Sequence, residues 1–192
     1  MKPKKYALFS LFDKQGSEEF AKQLIERGFS ILSSGGTATY LRERGVEVTD
    51  VSEVTGYPPV LGHRVVTLAP QIHGGLLATP EMKDELESLG WPWIELVYMN
   101  FYPLEEELKN PNATFKSCIE KTDIGGPTII RSANKGGRIT VVHSDLIPLV
   151  IEWLDSAEID RESFVKMLSK RSESAVADYV NLSARVYRRI QD

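Results

Sequence analysis

A nearly uninterrupted apolar run, Tyr6-Ala7-Leu8-Phe9-Ser10-Leu11-Phe12, lies close to the start of the chain. Runs of this kind are typical of strands that are buried on both faces of a parallel sheet. A turn, Asp13-Lys14-Gln15-Gly16, follows the run, and a helix begins after it, which Ser17 can cap and Gly28 ends. This part of the sequence therefore predicts one strand-to-helix unit of an α/β fold.

Strand and helix patterns alternate through the rest of the chain. Further strands are predicted over 29–32, 46–51, 93–99 and 139–142, with an extended segment over 63–68, and helices over 81–89, 114–120, 145–154 and 161–190. Alternation of this kind indicates a mostly parallel sheet with helices on both faces. We therefore predict an α/β core over residues 1–144 and a helical C-terminal extension over 145–192 that packs on the core.

Composition excludes several classes of protein. The chain has 192 residues and a net charge of −4, which argues against a general nucleic-acid-binding protein. No apolar run approaches the roughly 20 residues of a membrane-spanning helix. The basic start of the chain lacks the small-residue cleavage site of a signal peptide. Cys118 is the single cysteine, so no intramolecular disulfide can form. We expect a cytoplasmic protein.

A glycine-rich turn, Ser33-Ser34-Gly35-Gly36-Thr37, connects the second predicted strand to a helix. This arrangement presents backbone N–H groups to a phosphate. Ser34 and Thr37 add hydroxyl groups, and Lys14 adds a positive charge from the end of the neighbouring strand. A tight turn with ordinary helix caps would explain the same residues without a ligand. Because two strand ends converge here, the pattern favours a phosphate site.

The segment Asp123-Ile124-Gly125-Gly126-Pro127 runs into a helix that extends to Lys135. Pro127 suits the first helical position, and Arg131 and Lys135 share one helix face. The segment thus offers a carboxylate, amide donors at a helix N-terminus and an ammonium group, which together can move protons and stabilise an oxyanion. A helix cap followed by a solvated basic face explains the segment equally well.

Polar residues also follow the strand over 93–99, where Asn100-Phe101-Tyr102-Pro103 ends the apolar run. Open α/β sheets build their sites at the carboxyl ends of strands, so Asn100 and Tyr102 are candidates for a site. A turn asparagine and a tyrosine at the edge of the core would account for them equally well.

The histidines give no sign of a metal centre. His63, His73 and His143 do not have the spacing of a metal-binding motif. The sequence therefore predicts no bound metal.

Several separate motifs occur in order along most of the chain: Asp13-Lys14-Gln15-Gly16, Ser34-Gly35-Gly36-Thr37-Ala38, Asp50-Val51-Ser52-Glu53-Val54-Thr55-Gly56, the stretch from Gly62 to Gly75, Asn100-Phe101-Tyr102-Pro103, and Asp123-Ile124-Gly125-Gly126 with Lys135. Together they closely resemble one family, the inosine monophosphate cyclohydrolase domain. That domain forms the N-terminal half of a bifunctional purine biosynthesis enzyme that also carries a transformylase. The family's fold is similar to that of methylglyoxal synthase, in agreement with the strand pattern.

The resemblance implies a reaction. The carboxamide nitrogen of formylated aminoimidazole carboxamide ribotide attacks the formyl carbon of the same molecule, water leaves, and inosine monophosphate forms. No cofactor or metal is implied. Because both reacting groups belong to one molecule, the enzyme mainly holds a reactive conformer and manages protons and charge.

The resemblance also implies roles for residues. Asp123 and Lys135 are expected to act as a proton-transfer pair, while Tyr102 and Asn100 orient the base and the formyl group. The amide groups of Gly125 and Gly126 suit the developing negative charge. The remaining contacts with the substrate and its phosphate are expected from Ser10, Lys14, Ser34, Gly35, Gly36, Thr37, Arg64 and Thr67.

The chain departs from the family pattern at four positions. Val66 stands where the family has a catalytic lysine and Ala69 where it has a histidine; Phe12 replaces a serine, and Gly136 replaces an asparagine. Valine can neither donate a hydrogen bond nor carry charge. The alternative function is therefore a nucleotide-binding module, catalytically weakened, that serves as a partner or sensor. Methylglyoxal synthase itself is disfavoured, because the motifs at Asn100 and Asp123 follow the cyclohydrolase pattern.

The family also implies partners. A homodimer is expected, and the C-terminal helix offers apolar surface for one. The transformylase half of the family's enzyme has no counterpart in this sequence, so the chain is either a standalone cyclohydrolase or an excised domain. A standalone protein would receive its substrate from a separate transformylase as a partner. We expect neither a nucleic acid nor a membrane among the partners.

Overall fold

A computed structural model describes residues 4–62, 64–156 and 160–189. Its centre is a five-stranded sheet in which every neighbouring pair of strands is parallel. The strand order is β3-β2-β1-β4-β5. The strands are β1 (Lys5–Ser10), β2 (Phe29–Ser33), β3 (Val48–Asp50), β4 (Trp93–Met99) and β5 (Ile139–Val141). The α/β class and the parallel sheet that the sequence predicted are confirmed.

Helices connect the strands and cover the sheet. They are α1 (Ser17–Glu26), α2 (Gly35–Arg42), α3 (Val51–Thr55), α4 (Pro70–Leu77), α5 (Lys83–Ser88), α6 (Leu104–Lys109), α7 (Phe115–Glu120), α8 (Gly125–Lys135), α9 (Ile147–Asp155) and α10 (Arg161–Arg189). Single turns of 3₁₀ helix span Pro80–Met82 and Ser144–Leu146. Right-handed crossovers put α1 and α2 on one face and α8 on the other. Accordingly α1 contacts α9, whereas α8 contacts both α4 and α10.

The core is built on the two central strands. Leu8 and Phe9 of β1 and Leu96 of β4 are fully buried, as expected of strands covered on both faces. Side chains of α9 and α10, among them Val150 and Leu168, belong to the same hydrophobic cluster. The division into a core over 1–144 and an extension over 145–192 stays a prediction.

The segment before α4 differs from the expectation of a strand. Within the described part of 63–68 the structure has only an isolated bridge between Val60 and Val65, and His63 lies outside the described residues. The paired glycines that follow lie inside α4 rather than in a turn. A Cβ atom on Gly75 would lie 2.2 Å from the carbonyl oxygen of Pro92, and one on Gly74 would lie 2.5 Å from the Trp91 ring. These glycines therefore mark close packing of α4 on the start of β4.

A buried arginine, Arg138, holds the C-terminal end of α4. The Arg138 guanidinium donates to the carbonyl oxygens of Leu76 at 2.9 Å and Ala78 at 2.5 Å, and it stacks on the Trp93 ring at 3.8 Å. These bonds satisfy carbonyl groups that the end of a helix leaves without partners. Burial lowers the pKa of Arg138 to about 10, although the nearby charge of Glu95 opposes the shift.

Close packing against the end of α4 also explains Gly136, which is one of the departures from the family pattern. Its φ is −82°, which any residue can adopt. A Cβ atom there would, however, lie 1.8 Å from the carbonyl oxygen of Leu76. Lack of space, rather than backbone conformation, therefore requires glycine at this position.

Two absences hold for the part of the chain that the structure describes. None of its helices is both long enough and apolar enough to cross a membrane. No group of three or more histidine, cysteine, aspartate or glutamate side chains could hold a metal ion.

Candidate functional site

The strand order reverses between the two central strands. From β1 the chain proceeds outward through β2 and β3, and from β4 it proceeds outward to β5 on the other side. Ligands of open α/β sheets bind outside the carboxyl ends of the strands at such a reversal. Here β1 leads to Phe12 and Lys14, and β4 leads to Asn100 and Tyr102. The predicted site residues that follow these strands therefore share one edge of the sheet.

Asn100 ties the loops after β1 and β4 together. Its Oδ1 accepts hydrogen bonds from the backbone N–H of Phe12 at 2.7 Å and of Asp13 at 3.2 Å. Its Nδ2 donates to the Asp13 carbonyl oxygen at 2.8 Å. Both ends of the amide are thus engaged with the main chain, and Asn100 positions the loop after β1. Its predicted contact with a substrate stays a prediction.

An anion-binding geometry lies at the start of α2. The Lys14 ammonium donates to the Phe12 carbonyl oxygen at 2.9 Å, and Cε of Lys14 lies 3.6 Å from where a Cβ on Gly36 would be. Gly35 and Gly36 are exposed, and the extended Ser34 before them spends no side-chain bond on capping the helix. Free N–H groups, the helix dipole and an ammonium thus converge, as a phosphate group requires.

Thr37 holds the start of α2 in place through its side chain. Its buried hydroxyl accepts from the Leu11 N–H at 3.0 Å and donates to the Leu11 carbonyl oxygen at 3.1 Å. The hydroxyl therefore joins α2 to the end of β1, and any contact between Thr37 and a phosphate falls to its backbone. Ser10 is the last residue of β1 and is half-buried on the same side of the loop.

A mostly buried carboxylate lies at the start of α8. Burial raises the pKa of Asp123, and hydrogen bonds from the backbone N–H groups of Gly126 and Gly125 oppose that rise. The Gly126 N–H donates to Oδ1 at 2.9 Å. In this structure the predicted oxyanion donors are therefore bound to Asp123 itself. The helix begins at Gly125, so Pro127 occupies its third position. The sequence had predicted Pro127 at the first position.

The start of α8 is tightly enclosed. A Cβ atom on Gly126 would lie 2.5 Å from Oδ2 of Asp123 and 3.0 Å from the Phe101 ring. One on Gly125 would lie 3.3 Å from the hydroxyl oxygen of Thr67, which is a buried residue. Thr67, the two glycines and Asp123 are thus brought together, as the resemblance implied, and no larger residue fits at position 126.

Tyr179 joins the site from α10. Its hydroxyl oxygen accepts a hydrogen bond from the backbone N–H of Asp123 at 2.7 Å, across 56 residues of sequence. Its ring packs on Phe101 with centroids 4.9 Å apart. Burial raises the pKa of Tyr179, so its hydroxyl stays protonated. The sequence placed Tyr179 only in the packing face of a helix, and no local pattern connects it to Asp123.

Lys135 lies at the opposite end of α8 from Asp123. Ten residue steps separate Gly125 from Lys135, which is roughly 15 Å along the axis of a helix. The two side chains are therefore not in direct contact in this structure, and their role as a proton-transfer pair stays a prediction. Both Asp123 and Lys135 nevertheless line one cavity of about 850 Å³ between α8 and α10, together with Arg131 and Glu173. A molecule held in that cavity could contact both groups.

Arg64 and Val66 lie in the segment before α4. The exposed Arg64 guanidinium forms an ion pair with Glu120 at the end of α7. One nitrogen of the guanidinium is thus engaged with Glu120, and the predicted contact of Arg64 with a ligand stays a prediction. Val66 is half-buried and apolar, so the lysine of the family pattern has no counterpart at its position.

Comparisons with known proteins place the chain in a family. The model of the MGS-like domain matches residues 16–128. The bifunctional purine biosynthesis protein PurH of Bacillus thuringiensis (strain Al Hakam) is 41% identical over 173 residues, covering 87% of this chain and 34% of that protein. PurH of Bacillus anthracis is similar to the same extent. The chain thus spans about a third of the length of these curated relatives.

A solved structure extends the similarity beyond the region that the family model matches. The crystal structure of ForH superposes with a TM-score of 0.83 at 28% sequence identity. The match covers 95% of this chain and 96% of that chain. It therefore includes most of the C-terminal helices, which lie outside residues 16–128.

Proposed function

The chain belongs to the MGS-like domain family, and from that membership we propose that it is an inosine monophosphate cyclohydrolase. The reaction closes the ring of formylated aminoimidazole carboxamide ribotide with loss of water. The observation that carries the proposal is the mostly buried carboxylate of Asp123 at the start of α8. It lies next to Phe101 in the loop after β4, which Asn100 joins to the loop that carries Lys14. The 41% identity to part of a purine biosynthesis protein supports it.

The 5′-phosphate of the ribotide would bind at the start of α2. Lys14 supplies the countercharge, and the N–H groups of Gly35 and Gly36 supply donors at the positive end of the helix dipole. The unused Ser34 hydroxyl adds a further donor. Binding energy gained at the phosphate, remote from the reacting atoms, holds the molecule in the conformer that can close.

Asp123 would act as the general base. A carboxylate whose pKa is raised by burial is a stronger base than an ordinary aspartate, and it works closer to neutral pH. As the carboxamide nitrogen attacks the formyl carbon, a C–N bond forms and the nitrogen loses a proton to Asp123. The formyl oxygen takes up a proton and becomes a hydroxyl group. Its C–O bond then breaks as the formamide nitrogen gives up its proton, a C=N double bond forms, and the oxygen departs as water. Hydrogen bonds from Gly126 and to Tyr179 fix the orientation of Asp123 during these steps.

The charge that develops on the formyl oxygen needs a donor. In the proposed mechanism the ammonium of Lys135 and the guanidinium of Arg131, which line the same cavity as Asp123, supply positive charge. The loss of one such donor costs on the order of 10² to 10³ in rate. Val66 in place of a lysine would therefore slow the reaction by about this factor without abolishing it.

A second candidate function rests on the same valine. A nucleotide-binding module with little catalysis would keep the phosphate contacts of Lys14 and α2, and an apolar side chain at position 66 would not impair binding.

We also propose that the protein forms a homodimer and that a separate transformylase supplies its substrate. Sedimentation and co-purification would test these two partner proposals.

Ring closure by the purified protein tests the function. Formylated aminoimidazole carboxamide ribotide is added, and the absorbance of inosine monophosphate is followed against the spontaneous rate, beside Val66→Lys and a matched control, Val60→Lys, in the neighbouring hairpin. Turnover well above the spontaneous rate supports the cyclohydrolase. No turnover, with activity that appears in Val66→Lys alone, would make the binding module the better description.

A further inference from the structure

Two large aromatic side chains lie exposed and in contact beside the anion-binding geometry. Phe12 is 48% exposed and Tyr102 is 53% exposed, and their ring centroids are 5.1 Å apart. Phe12 follows β1 and Tyr102 follows β4, so the pair lies where the strand order reverses. Neither residue is part of the hydrophobic clusters of the core. Their exposed faces are therefore available to a ligand.

The main chain of Phe12 is joined both to the end of β4 and to the Lys14 ammonium. The Phe12 N–H donates to Oδ1 of Asn100 at 2.7 Å, and the Phe12 carbonyl oxygen accepts from Nζ of Lys14 at 2.9 Å. The N–H and carbonyl groups of Phe12 thus connect the Asn100 side chain, at the end of β4, to the Lys14 ammonium. A molecule whose anionic group is held by Lys14 therefore has an aromatic surface beside it, already in position.

We propose that Phe12 and Tyr102 form a stacking surface for the planar heterocycle of a phosphorylated riboside, and that the Phe12 ring sets the preference for ribosides with such a base over bare sugar phosphates. This inference rests on the proposed function and names the part of the substrate that the loop after β1 recognises. Aromatic faces bind bases by stacking, and the strength of such contacts varies little with the identity of the base. The site would thus favour ribosides that carry an aromatic base over bare sugar phosphates.

Substitution of Phe12 isolates the ring, because both hydrogen bonds of this residue are made by its backbone. Phe12→Ser, which installs the residue that the family resemblance gives at this position, keeps those bonds and removes the ring. Phe12→Tyr keeps a ring. Tyr57→Ser is the matched control, because Tyr57 is 71% exposed in the loop that follows α3. Binding of inosine monophosphate and of ribose 5-phosphate is measured by calorimetry for each protein.

We expect Phe12→Ser to weaken binding of inosine monophosphate by roughly tenfold, the lower part of the range for one stacked base. Affinity for ribose 5-phosphate should stay unchanged, and both Phe12→Tyr and Tyr57→Ser should bind as the unmodified protein does. The fluorescence of 2-aminopurine riboside 5′-monophosphate should be quenched on binding, and Phe12→Ser should relieve that quenching.

Equal affinity of Phe12→Ser and the unmodified protein for inosine monophosphate would overturn the inference while the proposed function stands. An equal loss for both ligands would also overturn it, because the ring would then act on the phosphate loop rather than on a base. A change in oligomeric state without a change in affinity would assign the pair to contact with a second copy instead. If the unmodified protein binds neither ligand, the proposed function fails, and this inference fails with it.

Discussion

Replacing Asp123 by asparagine changes the charge of this side chain while leaving its shape. Asparagine retains an oxygen at the Oδ1 position, which accepts from the Gly126 N–H at 2.9 Å, and it leaves the backbone bond to Tyr179 in place. It cannot accept a proton from a substrate at neutral pH. We therefore expect Asp123→Asn to fold normally, to bind nucleotide as before, and to close the ring about 10² to 10⁴ times more slowly.

The same substitution makes a prediction about stability. Burial raises the pKa of Asp123 above its unfolded value, so the stability that this group contributes is present at low pH and is lost as pH rises through the folded pKa. At neutral pH the ionised carboxylate is a cost that asparagine does not carry. Asp123→Asn should thus be as stable as the unmodified protein or more so, and each 1 kcal/mol of difference raises Tm by roughly 2–4 °C in a chain of this size.

The activity and the stability of Asp123→Asn are measured on one set of samples. Turnover is recorded against pH, and Tm is recorded by calorimetry at neutral and acidic pH. Asp50→Asn is the matched control, because Asp50 caps α3 through its side chain and does not line the cavity that Asp123 lines. Undiminished turnover in Asp123→Asn would remove this residue from the mechanism. A Tm well below that of the unmodified protein at neutral pH would refute the argument that burial penalises its charge.

Three further predictions concern packing around the site. Arg138→Met leaves the carbonyl groups of Leu76 and Ala78 without their donor and should cost about 3 kcal/mol or more of unfolding free energy, seen as a fall in Tm of roughly 6–12 °C; an unchanged Tm would contradict this reading. Gly136→Asn forces a Cβ against Leu76 and should lower the urea midpoint by the equivalent of about 2 kcal/mol or more, even though the family carries asparagine there. Tyr179→Phe removes the acceptor of the Asp123 N–H, so hydrogen exchange at that amide should accelerate, at a cost of about 1–3 kcal/mol.

Local patterns were sufficient to predict most of the strands. The strand over 93–99 was predicted with the bounds that the structure gives, Trp93–Met99, because the run is apolar except for Glu95 and is followed by polar residues. The third strand was predicted over 46–51 but ends at Asp50, whose side chain caps α3 together with Glu53. That capping box is a readable signal of a helix start, and it ends the strand.

The helix α4 could not be predicted in the same way. Glycine weakens an isolated helix, so Gly74 and Gly75 indicated a break. Their reason lies in the contacts with Trp91 and Pro92, which a local pattern does not contain. Arg138 was missed for the same reason, since the carbonyl groups that it satisfies lie about 60 residues earlier in the chain.

The candidate site residues likewise divide into those placed by local sequence and those placed by packing between distant elements. Residues whose placement depends on one strand end or one helix start, such as Lys14, Gly36 and Asp123, lie where the sequence put them. Residues whose position depends on packing between distant elements do not. The end-to-end separation of Asp123 and Lys135 follows from the length of α8, and the contact of Tyr179 with Asp123 follows from the way α10 docks. The catalytic and binding roles of all these residues stay predictions.

The hydrogen bonds of Asn100 have a consequence for how this site can evolve. Asn100 holds the loop after β1 entirely through main-chain groups of Phe12 and Asp13. The hydrogen bonds to Asn100 are therefore independent of the side chain at position 12. Mutations at position 12 can alter what the loop recognises without disturbing the neighbouring phosphate contacts. A single asparagine thus lets a scaffold acquire a new ligand preference by one substitution, at little risk to folding.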